Sequence, residues 1–172
     1  LSAGGRSVAV LEASDGPGGR VRTDLVDGFR LERGFQVLLT DYPELPRHLR
    51  VRDLDLRRFD PGALVWVDGR FHRVVDPFRD LVGGVRGALA PIGSPLDKLR
   101  VARLRRRLLR TSARALLQGA DVPTAAALRA EGFSPAMIER FFRPLVGGIQ
   151  LDPDLGTSRR MFDLVFRTLA RG

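Results

Sequence analysis

The order of apolar and polar residues near the start of the chain predicts a short buried strand followed by a loop. The apolar run Val8–Leu11 follows the polar Ser7 and ends at the carboxylate of Glu12. A continuous apolar run of this length is typical of a strand covered on both faces in a parallel sheet. We therefore predict a strand over residues 7–11, followed by a glycine-rich loop over residues 14–20.

Two later segments have the pattern of β-hairpins. In each, an Asp-Gly pair separates two runs that are rich in apolar residues, Asp27-Gly28 in the first and Asp68-Gly69 in the second. Asp-Gly suits the tight turn between two antiparallel strands, because both turn residues need a positive φ. The pattern predicts hairpins over residues 22–31 and 63–75.

After Pro77 the apolar residues recur every three or four positions, which predicts helices. Ser134-Pro135 is a typical helix start, and Asp41 is a candidate cap for a short helix earlier in the chain. We expect one helix to end at Arg143, where a proline and two glycines follow and indicate a turn. The predicted helices span residues 78–89, 95–118, 123–131, 134–142 and 157–170.

The change in pattern near residue 40 divides the chain into two predicted domains. Residues 1–40 combine the strand, the glycine-rich loop and the first hairpin. Residues 41–172 combine the second hairpin with the helices. This order is typical of an α/β domain that is interrupted by a second, largely helical α+β domain.

The positive charge of the chain is concentrated in one segment. The formal net charge is +9, from 29 basic and 20 acidic residues. Residues 98–114 contain Lys98 and seven arginines with no acid among them, so the rest of the chain is nearly neutral. Three interpretations stay open: a solvated helix face, an amphipathic helix on an anionic membrane, and a nucleic-acid site. For a membrane contact, the apolar residues available as a stripe are Leu99, Ala102, Leu109, Ala113 and Leu116.

The composition excludes several kinds of site. The chain has no cysteine, which excludes disulfides, thiolate metal ligands and cysteine nucleophiles and suits a reducing, cytoplasmic location. No apolar run approaches the roughly 18 residues of a membrane span. His48 and His72 have no second ligand at a metal-like spacing, so no metal site is predicted. Aromatic residues are not interleaved with the basic segment, so no nucleic-acid partner is expected.

The clearest candidate for binding chemistry is the acid after the first strand together with the glycine-rich loop. In a dinucleotide-binding βαβ unit, an acid at this position accepts hydrogen bonds from ribose hydroxyls. Glycines let the backbone approach a pyrophosphate closely, and a fixed cation offsets its charge. These roles point to Glu12 with Ala13, to Gly18 and Gly19, and to Arg20.

The run from Glu12-Ala13 to Gly18-Gly19-Arg20 resembles the second strand and following loop of FAD-dependent oxidoreductases of the amine oxidase and phytoene desaturase superfamily. The resemblance implies an α/β fold, with an incomplete Rossmann-type FAD-binding domain and an inserted, largely helical α+β substrate domain. It implies FAD as cofactor, with Arg20 along the pyrophosphate and ribityl chain. The nearby Arg22 is expected to be solvated.

Two further segments are similar to stretches of this superfamily. Gly34-Phe35-Gln36-Val37 is similar to the stretch that passes the isoalloxazine ring, where a small residue lets the backbone approach the flavin. A core strand that opens with glycine is the alternative interpretation. Residues 141–149 are similar to a stretch of the substrate domain in desaturase-like members, with a packing loop as the alternative.

The resemblance implies a function for a longer protein. Residues 1–6 leave no room for the first strand, the G-x-G-x-x-G turn and the pyrophosphate-binding helix of a Rossmann-type unit. We therefore expect an internal fragment, inactive by itself, of an enzyme that oxidises a small apolar substrate by hydride transfer to FAD. No catalytic residue is assigned. A nucleotide-binding module without redox chemistry and a basic domain for membranes or nucleic acids are the two alternatives.

Overall fold

The computed structural model describes residues 4–34, 37–60, 62–75, 80, 87 and 90–171. Contacts between residues divide the chain into two compact units, Leu1–Leu38 and Leu39–Gly172. The predicted roles of residues 1–40 as a cofactor domain and of residues 41–172 as a substrate domain stay predictions.

The first unit contains a β-hairpin. Strand β1 (Thr23–Val26) pairs antiparallel with strand β2 (Phe29–Glu32). The turn residues Asp27 and Gly28 have φ of 49° and 84°, the left-handed conformation for which an Asp-Gly pair is suited. The hairpin predicted over residues 22–31 is therefore confirmed.

The strand predicted over residues 7–11 is absent, and this prediction is wrong. These residues form no regular secondary structure, and Val10 and Leu11 are 78% and 95% exposed. A strand of a parallel sheet is held by hydrogen bonds to neighbouring strands and by helices on its faces. The described part of this unit supplies neither, since β1 and β2 pair with each other and no described side chain is buried. The Rossmann-type arrangement stays a prediction.

A second hairpin lies in the second unit. Strand β3 (Ala63–Val67) pairs antiparallel with strand β4 (Arg70–Val74) across an Asp-Gly turn. The side chains of Val65 and Val67 point to one face and are buried in the core, as the two-residue period of a strand requires. The hairpin predicted over residues 63–75 is confirmed.

Most of the regular secondary structure in the described part of the second unit is helical. They are α1 (Leu45–His48), α2 (Pro95–Arg110), α3 (Ala113–Leu117), α4 (Thr124–Ala130), α5 (Pro135–Met137), α6 (Arg143–Gln150) and α7 (Arg159–Arg171), with a 3₁₀ turn at Val51–Asp53 and a π-helical turn at Ile138–Phe142. Helix α7 packs against α2, α3 and α4. Within the described part of the chain, no helix is both long and apolar enough to cross a membrane.

The helix predicted over residues 95–118 is two helices, α2 and α3. Thr111 ends α2 with extended backbone angles, φ −98° and ψ 133°. Ser112 then begins α3, because its side-chain oxygen accepts a hydrogen bond from the N–H of Ala115 at 3.2 Å. A serine that caps a new helix competes with continuation of the old one, so a local polar signal overrides the apolar period.

The helix predicted to end at Arg143 continues instead to Gln150. The backbone widens to the π-helical turn at Ile138–Phe142 and then enters α6. Pro144 lies in the first turn of α6, where the missing N–H of a proline costs little. Leu151 ends α6 with a left-handed φ of 54°. The turn expected at residues 144–148 is therefore wrong.

Other helix boundaries give mixed outcomes. Ser134 caps α5 as predicted and accepts a hydrogen bond from the N–H of Met137 at 3.2 Å. Asp41 is not a helix cap, because Glu44 precedes α1, and Asp41 instead accepts a hydrogen bond from Arg167 at 3.1 Å. The helix predicted over residues 78–89 lies outside the described residues, except for residues 80 and 87.

The core of the second unit centres on Phe142. This side chain is fully buried, and its ring meets those of Phe133, Phe141 and Phe162 edge-on at centroid distances of 4.8, 5.2 and 6.0 Å. Edge-to-face contacts of this kind add to the stabilisation from burial. The π-helical turn therefore places an aromatic residue against both the preceding loop and α7.

A buried carboxylate, Asp97, joins the start of α2 to the start of α5. Its oxygens accept hydrogen bonds from the N–H and Oγ of Ser94, both at 2.8 Å, and from the N–H and Oγ of Ser134, at 2.9 and 2.7 Å. Burial alone would raise the pKa of Asp97, but the hydrogen bonds from the two serines outweigh it and hold the pKa well below its ordinary value. One side chain thus satisfies the orphan donors of two helix starts.

Candidate functional site

An arginine holds the glycine-rich loop of the first unit in place. Arg22, directly before β1, forms a two-pronged ion pair with Asp15, with Nη1–Oδ1 at 2.7 Å and Nη2–Oδ2 at 2.6 Å. Its Nη1 also donates to the carbonyl of Gly16 at 3.2 Å. The hydrogen-bonded pair lowers the pKa of Asp15 and raises that of Arg22. The expectation that Arg22 is solvated is wrong, because its side chain is only 23% exposed.

The loop needs glycine at two adjacent positions. Gly18 and Gly19 have φ of 123° and 52°, which other residues rarely adopt. A side chain on Gly18 would meet Cβ of Arg22 at 3.5 Å, whereas a side chain on Gly19 would have no neighbour within 4 Å. Gly19 therefore leaves bare backbone open to a ligand, as close approach of a pyrophosphate requires.

Glu12 lies in the coil before the loop. Its Oε1 accepts a hydrogen bond from the N–H of Ser14 at 2.8 Å, and this contact lowers the pKa of Glu12. The carboxylate is therefore ionised at neutral pH, and it is exposed, as is the neighbouring Ala13. An ionised, exposed acceptor suits the hydroxyls of a ribose.

The structure brings two of the predicted binding segments together. A Cβ on Gly34 would lie 2.5 Å from the carbonyl oxygen of Arg20, a distance at which the backbone would have to move. One residue earlier, the N–H of Arg33 donates to the carbonyl of Arg22 at 2.9 Å. The segment predicted to approach the flavin ring therefore lies against the segment predicted to approach the pyrophosphate.

Arg20 carries the charge that the loop leaves unpaired. Asp15 is paired with Arg22, and Asp24 accepts from Nε and Nη2 of Arg33 at 2.7 and 3.0 Å. The side chain of Arg20 is exposed and has no ion pair with any of the described residues. An exposed, unpaired guanidinium beside open glycine backbone suits a phosphate oxygen.

The structure describes only one of the three remaining predicted residues. Val37 is 38% exposed, and Phe35 and Gln36 lie outside the described residues.

The pairing of Asp15 with Arg22 was not predicted from the sequence. The available signal was an acid and an arginine seven positions apart on either side of a glycine run, a spacing that a closed loop brings together.

A surface pocket of about 290 Å³ in the second unit gathers charged side chains between α2 and α7. Glu131 accepts from Arg107 at 2.7 Å and from Arg159 at 2.9 Å. Burial raises the pKa of Asp163, whose carboxylate lies 3.3 Å from the guanidinium of Arg159. These side chains pair with one another, and the pocket has the character of an ion-pair network that joins helices.

Comparison with known proteins identifies a flavoprotein relationship. The family model for flavin containing amine oxidoreductases matches residues 1–172. The chain is similar to a coproporphyrinogen III oxidase of Mycobacterium leprae (strain TN), with 27% identity over 146 residues, which is 83% of this chain. The match spans 31% of that relative's length. No solved structure matches the chain significantly.

Proposed function

The chain belongs to the family of flavin containing amine oxidoreductases, and on that premise we propose that it forms part of an FAD-dependent oxidoreductase. The observation that carries the proposal is the contact of Gly34 with Arg20, beside the open backbone of Gly19. It joins the two segments that the superfamily resemblance assigns to the flavin.

The described residues of the first unit fit the cofactor. Glu12 supplies an ionised acceptor for ribose hydroxyls, and the backbone at Gly18 and Gly19 supplies room for a pyrophosphate. Arg20 supplies the unpaired cation for the phosphate charge. Arg22 orients the loop through its ion pair with Asp15. Because that pair already neutralises its charge, Arg22 acts as a positioning residue and not as a phosphate ligand.

When bound, the flavin supplies the redox chemistry by accepting a hydride from a substrate C–H bond and passing the electrons on to oxygen or another acceptor. The protein then has three tasks: to bind the cofactor, to orient the substrate and to exclude water. We assign the first of these to the first unit, through Glu12, Gly18, Gly19, Arg20 and Gly34. The fold of this enzyme is proposed to include the Rossmann-type FAD domain and the inserted substrate domain.

For the substrate, we propose a small organic molecule with a largely apolar body. One concrete candidate is a porphyrinogen, because the relative from Mycobacterium leprae is named for coproporphyrinogen III. Oxidation of a porphyrinogen creates a conjugated, coloured ring, so turnover has a direct optical signal. The family description makes an amine the second candidate class.

Spectroscopy of the purified holoprotein tests the proposal. We expect flavin absorbance, release of FAD rather than FMN on denaturation, and bleaching when the oxidisable substrate is added without oxygen. Coproporphyrinogen III and a panel of apolar amines are the substrates to compare. A protein that binds a nucleotide but shows no bleaching with any reductant would support the alternative of a non-redox nucleotide-binding module. Absence of any bound flavin or nucleotide would contradict both.

A further inference from the structure

The seven basic residues of the segment 98–114 that lie on α2 divide into two groups of side chains with different surroundings. The first group makes contacts within the protein: Lys98 donates to the carbonyl of Ala90 at 2.8 Å, Arg100 to Asp97 at 3.3 Å, Arg105 to the carbonyl of Ala170 at 3.4 Å and Arg107 to Glu131 at 2.7 Å. The second group on α2, namely Arg103, Arg106 and Arg110, is exposed and has no ion pair with any residue that the structure describes.

The unpaired arginines continue a row of exposed leucines on the same face of α2. Leu96 and Leu99 are 53% and 66% exposed, and Arg103, Arg106 and Arg110 follow at alternating steps of four and three residues. At about 100° per residue, these five positions fall within roughly 80° of the helix surface. We call this row the outer stripe of α2.

The outer stripe replaces the apolar stripe predicted from the sequence. Of the residues proposed for that stripe, Leu116 is buried on α3, and Ala102, Leu109 and Ala113 are half-buried; only Leu99 is well exposed. The break at Thr111 separates α2 from α3, so the predicted residues do not share one helix.

We propose that the outer stripe of α2 docks on an anionic lipid surface. Three unpaired guanidinium groups complement lipid phosphates, and the single acid of α2, Asp97, is fully buried and faces away. The two leucines, half or more exposed in the same row, enter the interface between headgroups and acyl chains. A nucleic acid would use the arginines but gives the leucines no apolar contact, so the combination favours lipid.

A vesicle-binding experiment with the flavin-loaded holoprotein tests this proposal. The key variant is R103Q/R106Q/R110Q, and the matched control is R50Q/R58Q/R70Q, which removes the same charge from exposed arginines that have no ion pair with the described residues. On vesicles with about one-third phosphatidylglycerol in phosphatidylcholine, we expect the key variant to bind at least about tenfold more weakly than the wild type. The control is expected to change binding by less than about twofold.

Two further arms distinguish lipid from other polyanions. Leu96→Ser with Leu99→Ser should weaken binding most at about 0.5 M salt, where screening leaves the apolar contact dominant. Equal loss in both arginine variants, or equal binding to neutral and anionic vesicles, would overturn the proposal. So would tight binding to a DNA duplex that the leucine variant leaves unchanged, which would assign the stripe to nucleic acid. Unchanged flavin absorbance and melting in the variants show that the fold is intact.

Discussion

Arg20 and Arg22 carry the same charge two positions apart, but their partners give them different roles. The guanidinium of Arg22 donates hydrogen bonds to the carboxylate of Asp15 and to the carbonyl of Gly16, and these contacts fix the path of the loop. Arg20 has an exposed side chain and a backbone carbonyl that is covered by Gly34. Under the proposed function, a ligand phosphate would therefore find an available cation at Arg20, on a backbone that Arg22 and Gly34 contact from two sides.

Replacement of Glu12 tests the ribose contact. Glu12→Ala removes an ionised acceptor, and we expect the holoprotein to bind FAD about ten- to a hundredfold more weakly. The measurement is flavin occupancy after dilution and dialysis, followed by absorbance. Asp27→Asn is the matched control, because it removes an exposed acid from the hairpin turn and asparagine tolerates the left-handed φ there. Equal flavin occupancy in the two variants would show that Glu12 is an ordinary surface acid with no contact to the ribose.

Replacement of Asp97 tests the buried carboxylate. Asp97→Asn leaves donors of Ser94 and Ser134 without an ionised acceptor, and we expect a loss of roughly 1.5–3 kcal/mol in the free energy of unfolding at neutral pH. Denaturant titration measures it. Asp154→Asn is the control, since that side chain is 96% exposed, and it should change stability by less than about 0.5 kcal/mol.

The same variant has a defined pH dependence. The pKa of Asp97 is lowered by folding, so its contribution to stability is present above its ordinary value of 3.8 and is lost as the pH falls toward the folded-state pKa. The difference in the free energy of unfolding between the wild type and Asp97→Asn should therefore become smaller as the pH falls below 3.8. A difference that stays constant from neutral to acid pH would show that the charge of Asp97 is not what the serines stabilise.

Among the strands and helices, those that are fixed by neighbouring residues were predictable from the sequence, and those that depend on distant parts of the chain were not. Both hairpins were predicted because Asp-Gly fixes the turn within two residues, and the start of α5 was predicted because Ser134 caps it directly. The prediction of a strand over residues 7–11 was wrong because a parallel strand depends on partner strands far away in the chain. The helix through Pro144 was missed because it follows a π-helical turn, for which the sequence has no local signal, and Phe142 of that turn packs against the distant Phe133.

The candidate site shows the same division. The types of residue at Glu12, Gly18, Gly19 and Arg20 were recognisable from the sequence, because glycine and charge carry a direct chemical meaning. The contact of Gly34 with Arg20 was not, since it depends on how β2 returns alongside the loop. The role of Arg22 was missed for the same reason: its partner Asp15 lies across the loop.

Replacement of Gly34 tests the contact between the loop and the end of the hairpin. In Gly34→Ala the added Cβ would lie 2.5 Å from the carbonyl of Arg20, so the two backbones must separate. We expect FAD binding to weaken at least about tenfold, because a misplaced backbone no longer fits the pyrophosphate. Gly4→Ala is the control, as nothing lies within 4 Å of its added Cβ. Identical flavin occupancy in both variants would rule out a role for this contact in binding.

At the scale of the whole chain, the two units differ in how they are stabilised. The second unit has a continuous apolar core that includes Leu104, Leu108, Phe142 and Phe162. The first unit has no buried side chain among its described residues, and its order comes from a hairpin and from ion pairs with exposed partners. Exposed ion pairs contribute little to stability. The flavin contacts that we propose are therefore carried by the less stable unit.

Hydrogen exchange on the 172-residue chain tests this difference. We expect the amides of β1 and β2 to exchange nearly as fast as in an unfolded peptide, because opening a unit whose described residues bury no side chain costs almost no free energy. The amides inside α2 and α7, which pack around Leu104 and Phe162, should exchange at least about a hundredfold more slowly. Hairpin protection that equals that of α2 would show that the first unit is stable by itself.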